Sequence, residues 1–481
     1  MWFNSFDFAV FFVVVLGAYW AFQRWRHGLR AQNLMLLAAS YFFYGYWDYR
    51  FLSLIAISTI VDYVAGLRIQ RAADEGGETA HRRMRLWLVA SMCTNLGLLG
   101  FFKYFNFFVG SFESAFGVDA GALHLNIVLP VGISFYTFQT MSYTIDIYRG
   151  LMKPTRRFVD FALFVAFFPQ LVAGPIERAT ALLPQILERR RFSRPQFGQG
   201  LHLIFWGLFK KVFVADNLAR IVDQVFVEGG DPTSFAILCG VYAFAFQIYC
   251  DFSGYSDIAR GCAKCMGIEL RLNFNCPYVA TNPRDFWGRW HMSLSTWLRD
   301  YLYIPLGGNR HGTARLYRNL ALTMVLGGLW HGAKWTFVLW GIYHGTVLII
   351  HRLLEPTLKG IRVLQGGVPG LAWHVVRVVF MFHIVCVSWL LFRATGLGQL
   401  YIMTGNFLGL TGPADLALLL PLLKFIGPLI LVEVIQTALE RRGADGLARV
   451  SVWIKCPAYA VLFYLFAFYG GAAESFIYFQ F

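Results

Sequence analysis

Two histidines lie beside tryptophans in a chain that is otherwise strongly apolar, and their side chains are the best suited to chemistry. His291 belongs to the segment Phe286–Ser293, and His331 belongs to Gly327–Gly332. An imidazole at membrane depth must be desolvated and partnered, so it is costly unless it has a function. Histidine also accepts and donates protons near neutral pH. A single such histidine could equally form a hydrogen bond between helices. Two of them, each beside Trp and near a Gly or Pro break, favour a reaction centre.

The apolar helix that precedes His331 is predicted to be short. The run Asn319–Trp330 has about 12 residues, roughly 18 Å of helix, against a hydrocarbon core of about 30 Å. His331 is therefore expected to lie within the thickness of the bilayer. His344 lies on the following helix, and the favoured interpretation of it is a hydrogen bond that packs two helices.

A second polar constellation occupies Gln247–Asp257, at the end of an apolar run. Aspartates at membrane depth are by default functional or paired, and Gly254 is expected to permit a break in the helix. The neighbouring hydroxyls could bind a polar ligand, whereas a helix N-terminus capped by Asp251 or Ser253 explains the pattern equally well. The residues predicted to line a channel or to bind substrate are Asp251, Ser253, Tyr255, Asp257, Arg284, Trp287, Trp290 and Trp330.

Three arginines follow in a segment rich in Pro and Trp that contains His291. Arg284, Arg289 and Arg299 could pair with the aspartates, or they could face a donor that bears phosphate groups. The sequence leaves both interpretations open. The run Arg299–Gly308 is predicted to be an interfacial helix with its own ion pair.

The composition identifies a polytopic membrane protein of the all-α class. Of the 481 residues, 57% are apolar and 14% are charged, whereas soluble domains have roughly 25% charged residues. The formal net charge of +15 could suggest a nucleic-acid-binding protein. The basic residues, however, lie in short loops between apolar runs, as positive-inside topology requires. We therefore expect the lipid bilayer as a partner, and no nucleic acid.

The alternation of charge between apolar runs predicts the orientation of the chain. Basic residues follow the first and third runs, whereas the loop 111–122 has Glu113 and Asp119 and no base. This pattern predicts cytoplasmic basic loops and periplasmic termini in a bacterial inner membrane. The basic residues used are Arg24, Arg26, Arg30, Arg68, Arg71, Arg82, Arg83, Arg85, Arg149, Lys153, Arg156, Arg157, Arg441, Arg442, Arg449 and Lys455.

One apolar run, Phe158–Ile176, has basic residues on both sides and is predicted to re-enter the membrane rather than to cross it. The breaks Phe168–Gln170 and Ala173–Pro175 interrupt this run. Irregular backbone is tolerated at membrane depth only where it is buried in protein or lines a cavity, so an internal chamber is expected. The runs predicted to span the membrane are Phe8–Phe22, Asn33–Trp47, Phe51–Leu67, Leu86–Phe108, Ile127–Ile147, Leu201–Val222, Phe235–Cys250, Asn319–Trp330, Trp335–His351, Trp373–Phe392, Leu416–Val434 and Tyr459–Phe468.

The eight cysteines lie mostly within or beside apolar runs. The motif Cys262-x-x-Cys265 has no second CxxC, so we interpret it as packing. Neither a disulfide framework, a metal site nor a bound cofactor is predicted. No internal repeat or linker divides the chain, and a single integral domain over residues 1–481 is therefore predicted.

These motifs together resemble the membrane-bound O-acyltransferase (MBOAT) family. The resemblance is closest to its bacterial branch, which includes the membrane subunit of alginate O-acetylation. It rests on Asp251–Asp257, Arg284–His291, Ser293–Gly308 and Trp330–Gly332, with further likeness at 41–48 and 168–175. Each motif alone is moderately specific, but all of them in this order are a strong signal.

The resemblance implies a helical bundle with re-entrant segments around a central channel. It also implies that His331 is the essential catalytic histidine. His291 matches the second active-site position, which is histidine in this branch and asparagine in many other members. The donor implied is a cytoplasmic thioester, acetyl-CoA or another acyl thioester, and the partners implied are periplasmic proteins of polysaccharide acetylation. The acetyl group would then reach an exported polysaccharide such as alginate.

Other functions fit parts of the sequence. D-alanyl transfer to teichoic acid and acetylation of cellulose or another polymer are alternatives within the enzyme class. A transporter could also use buried His and Asp residues to relay protons. Transporters commonly have two repeat halves with helices broken at corresponding positions, and we find none in this sequence. No Gly-x-Ser-x-Gly elbow is present either, so a serine acyl-enzyme is not indicated.

Overall fold

The computed structural model describes residues 1–23, 25, 27–119, 121–172, 174–360, 367–441, 452–471, 474 and 476–479. Over these residues the secondary structure is helical and contains no strand, as the sequence predicted. Arg24, Arg26, Ala173, Arg442 and Arg449, which entered the topology argument, lie outside the described residues. The chain forms two compact units, which consist of residues 1–205 with 256–272, and of 206–255 with 273–481. The single domain over residues 1–481 stays a prediction.

The first unit is built from the N-terminal helices. Its predicted re-entrant run is divided between two short helices, α7 and α8, which meet at Phe167 and are buried except at Phe158 and Val159 in the first turn of α7. Neither is long enough to cross a bilayer, which needs about 20 residues. The helices are α1 (Phe6–Phe22), α2 (Gly28–Asp48), α3 (Leu52–Glu75), α4 (Ala80–Leu99), α5 (Phe105–Phe116), α6 (Ile133–Tyr148), α7 (Phe158–Ala166), α8 (Phe168–Leu171) and α9 (Ala179–Leu187).

Helix α10 (Arg194–Leu208) ends in a π-helical segment, Phe209–Ala215, that belongs to the second unit and leads into α11. Single π-helical turns within α-helices are frequent at functional sites. The remaining helices are α11 (Asp216–Val225), α12 (Ser234–Cys265), α13 (Pro283–Trp287), α14 (Met292–Leu298), α15 (Thr313–His331), α16 (Trp335–Gly360), α17 (Gly367–Arg393), α18 (Leu397–Leu408), α19 (Leu419–Arg441) and α20 (Val452–Phe468).

Six helical stretches among the described residues are long and apolar enough to cross a membrane. Many of their large apolar side chains are exposed, among them Phe42 and Phe380, as is expected for a surface that faces lipid. The six stretches are Gly28–Glu75, Ala80–Phe116, Ser234–Cys265, Trp335–Thr357, Pro369–Arg393 and Leu416–Gln436.

Two sequence predictions about the helices near the histidines are wrong. Helix α12 continues through Gly254 without a break. That glycine instead permits a close helix crossing, because a Cβ atom there would lie 2.8 Å from the carbonyl oxygen of Gly207. Helix α15 has 19 residues and begins at Thr313, six positions before the predicted run that starts at Asn319. The apolar run covers only the hydrophobic part of this helix, so the prediction that a short helix precedes His331 is wrong.

Helices α15 and α16 form a hairpin whose two backbones nearly touch. A Cβ atom on Gly328 would lie 2.3 Å from the carbonyl oxygen of Phe337, and one on Gly341 would lie 2.5 Å from that of Met324. Small residues permit this close approach between membrane helices. The hairpin therefore fixes His331, the last residue of α15, against the first turns of α16.

Candidate active site

His331 ends α15 and is buried among aromatic rings. The centroid of its imidazole lies 5.1 Å from that of Trp340 and 5.3 Å from that of Phe392, both in edge-to-face geometry. Trp330, the preceding residue, is 5.2 Å away by the same measure. Helix α15 ends at His331 because Gly332 has an extended backbone. A Cβ atom at Gly332 would overlap the ring of Phe337, so this turn requires glycine.

His291 lies between α13 and α14 in the left-handed backbone region, with φ of +42°. This region is costly for a residue with a Cβ atom. The strain is met by two main-chain hydrogen bonds beside it, from Ser295 N to the His291 carbonyl oxygen and from Met292 N to that of Asn273, both 2.9 Å. His291 is fully buried, and its ring lies edge-to-face on Phe252 at 4.7 Å. The backbone thus aims the imidazole in one direction.

Asn273 sets the tautomer of His291. Its Oδ1 accepts the backbone N–H of Ser293 at 3.2 Å, which fixes the orientation of the carboxamide. The Nδ1 of His291 lies 3.3 Å from the same oxygen, so it must be the donor. In the neutral ring Nε2 then has the lone pair and can accept a proton. Asn273 was not predicted from the sequence, where no periodic signal distinguishes it.

The structure brings the two histidines together. Their ring centroids are 6.4 Å apart, and Trp330 lies 6.0 Å from His291 by the same measure. Two imidazoles at this separation can share one small reacting group between them. Both belong to the second unit, although 40 positions separate them along the chain.

A tyrosine that the sequence analysis missed contacts the candidate catalytic histidine. The hydroxyl of Tyr478 lies 3.0 Å from Nδ1 of His331, and its ring packs on Phe252 at 4.7 Å. Tyr478 belongs to the C-terminal strap, a name we use for the described residues Tyr469–Gly471, Glu474 and Phe476–Phe479. Nothing in the sequence distinguishes one tyrosine among the phenylalanines of this segment.

Asp251, predicted to line a channel or bind substrate, belongs to a buried ion network. Its Oδ1 lies 2.8 Å from Nζ of Lys211, and Oδ2 accepts the backbone N–H of Ile477 at 2.7 Å. Lys211 also lies 2.8 Å from Oδ1 of Asp216. A signal for this network was present, because lysines and an aspartate interrupt the apolar run Leu201–Val222, and charges at membrane depth are rarely idle.

The other members of the Asp251–Asp257 segment have different positions. Ser253 is buried, and its hydroxyl has no hydrogen-bond partner among the described residues. Tyr255 packs on Phe476 of the strap, with ring centroids 4.5 Å apart. Asp257 belongs to the first unit, where it forms a 3.0 Å ion pair with Arg260. A role of these residues in lining a channel or binding substrate stays a prediction.

The arginines near His291 do not pair with Asp251 or Asp257. Arg289 pairs with Asp285 at 2.7 Å and Arg299 with Asp300 at 2.6 Å, so each pairs with an aspartate close to it in the chain. Arg284 is exposed, and the described residues provide no ion pair for it. A contact between Arg284 and a phosphate-bearing donor stays a prediction.

Two predicted tryptophans, Trp287 at the end of α13 and Trp290 just after it, pack among other aromatic rings. Trp290 is buried against Trp389 at 4.8 Å, and Trp287 lies 5.0 Å from the ring of His344. The ring of His344 contacts Trp340 at 4.6 Å, and its Nε2 has no hydrogen-bond partner among the described residues. His344 therefore packs chiefly by ring contacts.

No cluster of metal-binding side chains occurs among the described residues. Acid–base chemistry is what the arrangement supports directly. A phenol hydroxyl within hydrogen-bond distance of an imidazole has the geometry of a nucleophile beside its general base. The second imidazole, with a lone pair on Nε2, can receive a proton in the same place. Rings that exclude water strengthen the electrostatic interactions of such a site.

Several known proteins are similar in sequence to this chain over much of its length. Residues 155–393 match the model of the MBOAT, membrane-bound O-acyltransferase family. The chain is 47% identical to "Probable alginate O-acetylase AlgI" of Azotobacter vinelandii, over 76% of this chain and 71% of that protein. It is 36% identical to the peptidoglycan O-acetyltransferase of Helicobacter pylori, over 85% and 79% of the two chains.

A more distant likeness is to the teichoic acid D-alanyltransferase of Bacillus subtilis, at 27% identity over 56% of this chain and 69% of that protein. The names of these relatives all describe transfer of an acyl group, which agrees with the acid–base pair at His331. The apolar helices agree with passage through a membrane. The chain therefore belongs to the membrane-bound O-acyltransferase family and is a multi-pass membrane O-acyltransferase.

Proposed function

We propose that this enzyme transfers acetyl groups from a cytoplasmic thioester to an exported polysaccharide, with alginate as the leading candidate. The observation that supports it best is the group of His291, His331 and Tyr478, in a chain whose relatives at 42–47% identity are named alginate O-acetylases. Peptidoglycan, cellulose and other polymers are the alternatives for the acceptor. D-alanyl transfer is favoured less, because the relatives of that name are only 27–28% identical.

His331 serves as the general base in this proposal. A thioester is reactive enough that attack by a hydroxyl needs only removal of its proton and stabilisation of the oxyanion. General base catalysis of this kind contributes about 10²- to 10⁴-fold in rate. The hydroxyl bonded to His331 is that of Tyr478, at 3.0 Å from Nδ1, so Tyr478 is the first acceptor to consider.

The acetyl group would then pass through Tyr478. The phenol oxygen forms a bond to the carbonyl carbon as the carbon–sulfur bond breaks, and the phenolic proton passes through His331 to the departing thiolate. A phenyl ester remains activated relative to an alkyl ester, so a sugar hydroxyl can attack it next. His331 takes the proton of that hydroxyl and returns it to the phenolate of Tyr478. His291 provides a second proton acceptor beside the reacting atoms.

Acetylated Tyr478 is the chemical test of this relay. The enzyme is incubated with labelled acetyl-CoA but no acceptor, quenched in acid and digested, and the peptide with Tyr478 is examined by mass spectrometry. An acetyl group on Tyr478 that is absent in Tyr478→Phe is expected. Full transfer by Tyr478→Phe would show that the tyrosine only orients His331, and that an external hydroxyl reacts directly.

The donor is proposed to enter from the cytoplasm and the acceptor from the periplasm of the inner membrane. Basic loops on one side attract an anionic donor, activated thioesters are cytoplasmic, and exported polymer is outside. We propose periplasmic termini and separate periplasmic acetylation proteins as partners, one of which could be the direct acceptor. Oriented vesicles with labelled donor on one face provide the test. Equal labelling from the face that bears Glu113 and Glu228 would overturn the sidedness.

A further inference from the structure

Two hydrogen bonds to the backbone near the start of the C-terminal strap fasten it within the second unit. Asn217 donates its side-chain N–H to the carbonyl oxygen of Tyr469 at 2.8 Å. Gly471 donates its backbone N–H to the carbonyl oxygen of Val212 at 3.1 Å. A Cβ atom on Gly471 would lie 2.6 Å from the backbone of Asp216. The strap therefore begins in close backbone contact with α11 and the π-helical segment before it.

The buried ion network fastens the next part of the strap. The ammonium group of Lys211 has three protons, and three oxygens surround it, those of Asp216 and Asp251 at 2.8 Å and the carbonyl oxygen of Glu474 at 3.1 Å. One of the three belongs to the strap. The side chains of the lysine and both aspartates are at most 3% exposed, so water does not substitute for a lost contact.

The charged groups of this network have all of these hydrogen-bond partners only when the strap is in place. One cation faces two carboxylates, and the backbone N–H of Ile477 supplies a further donor, to Oδ2 of Asp251 at 2.7 Å. Removal of the strap would take one acceptor from Lys211 and one donor from Asp251. Buried charged groups that lose a partner are strongly destabilised. The network therefore favours the bound strap over any other position.

We propose that Lys211, Asp216 and Asp251 are positioning residues, which place Tyr478 on His331 by holding the strap. Ile477, whose amide is bound by Asp251, directly precedes Tyr478, so one bond fixes the backbone beside the reacting hydroxyl. Phe476, which directly precedes Ile477, packs its ring on that of Tyr255 with centroids 4.5 Å apart. Asp251 thus acts on the reaction through Tyr478 and does not bind substrate. The inference rests on the proposed role of Tyr478.

The experiment separates positioning from folding. Lys211→Met alone leaves two buried carboxylates without a cation and can fail to fold. The test variant is therefore K211M/D216N/D251N, which removes all three charges together. The matched control is Asp223→Asn, the same kind of substitution on α11, where Asp223 forms a half-exposed pair with Arg393. Detergent-purified proteins are compared for kcat, for KM of acetyl-CoA and for thermal unfolding.

A second readout follows the strap without any activity. Tyr478→Cys is introduced into each protein after Cys93 and Cys456, which are exposed, are replaced by Ser, and labelling by N-ethylmaleimide is timed. For the triple variant we expect kcat at least tenfold lower with unchanged KM, and labelling at least tenfold faster; Asp223→Asn changes neither. Unchanged labelling, or unchanged kcat with faster labelling, overturns the proposal. Loss of transfer in the parent enzyme itself would instead overturn the proposed function.

Discussion

Replacement of His331 tests the assignment of the base, because two substitutions separate its chemistry from its packing. His331→Gln keeps a side-chain oxygen that can accept the hydrogen bond of Tyr478, but an amide cannot take up a proton. His331→Ala loses both the acceptor and the ring contacts with Trp340 and Phe392. We expect both variants to lose transfer by about 10²- to 10⁴-fold, which is about 3 to 5 kcal/mol of activation free energy.

The two variants should differ in stability. In His331→Ala the buried hydroxyl of Tyr478 loses its partner, which costs about 1 to 3 kcal/mol, and the missing ring leaves a cavity that adds to this. The midpoint temperature of thermal unfolding of His331→Gln should be closer to that of the parent enzyme. A matched control exists in the same unit, where Tyr242 OH lies 2.7 Å from Nε2 of His383. His383→Ala removes a similar pair and should leave transfer near the parental rate.

Transfer is measured as labelled acetyl groups released from the donor to polymer, per mole of enzyme in the membrane. Unfolding is measured in detergent on the same preparations. If His331→Gln transferred acetyl groups at a rate near that of the parent, His331 would be a structural residue and the base would lie elsewhere. If activity followed stability across all three variants, the same conclusion would hold.

Three further outcomes are expected. His291→Ala should lower transfer about 10²-fold or more, whereas His291→Asn should retain a larger part, since Asn tolerates the left-handed backbone; equal kinetics for the two would contradict this. Gly341→Ala should lower the free energy of unfolding by about 1 to 3 kcal/mol through overpacking and should also reduce kcat. Thermal unfolding and acetyl transfer can be measured on the same preparation. Burial raises the pKa of Glu177 from 4.5 to about 7, so folded protein retains a proton that unfolded protein loses. Its contribution to stability is complete below pH 4.5 and is lost as the pH rises through 7, and thermal unfolding of Glu177→Gln should show a flatter pH dependence.

The helical class, the passage through a membrane and the pair of histidines could be predicted from the sequence. Long apolar runs directly indicate helices that cross a membrane. A histidine within such a run is rare, so it stands out as a candidate site residue. The helix boundaries were less predictable. The N-terminal turns of α15 are polar, so the apolar run that begins at Asn319 marks the helix too late.

Tertiary relations could not be predicted from the same signals. A glycine at position 254 looks the same in the sequence whether it breaks a helix or permits two helices to cross closely. Only the short distance to Gly207 in the structure shows that it permits a crossing. The partner of Asp251 is 40 positions away at Lys211, and its other partner is at Ile477. Tyr478 likewise can be identified as a site residue only from its distance to His331. Spacing along the chain contains none of this information.

The bond between Tyr478 and His331 joins residues 147 positions apart in the chain, and this separation affects biogenesis. Ribosomes add about 5 to 20 residues per second, so a nascent chain contains both histidines for roughly ten seconds before its tyrosine is made. Throughout that interval the histidines can fold beside each other, but the hydroxyl that His331 contacts is missing. A partly inserted chain would thus be unable to consume thioester through Tyr478. Synthesis of the segment that contains Tyr478 is then the step that makes this transfer possible.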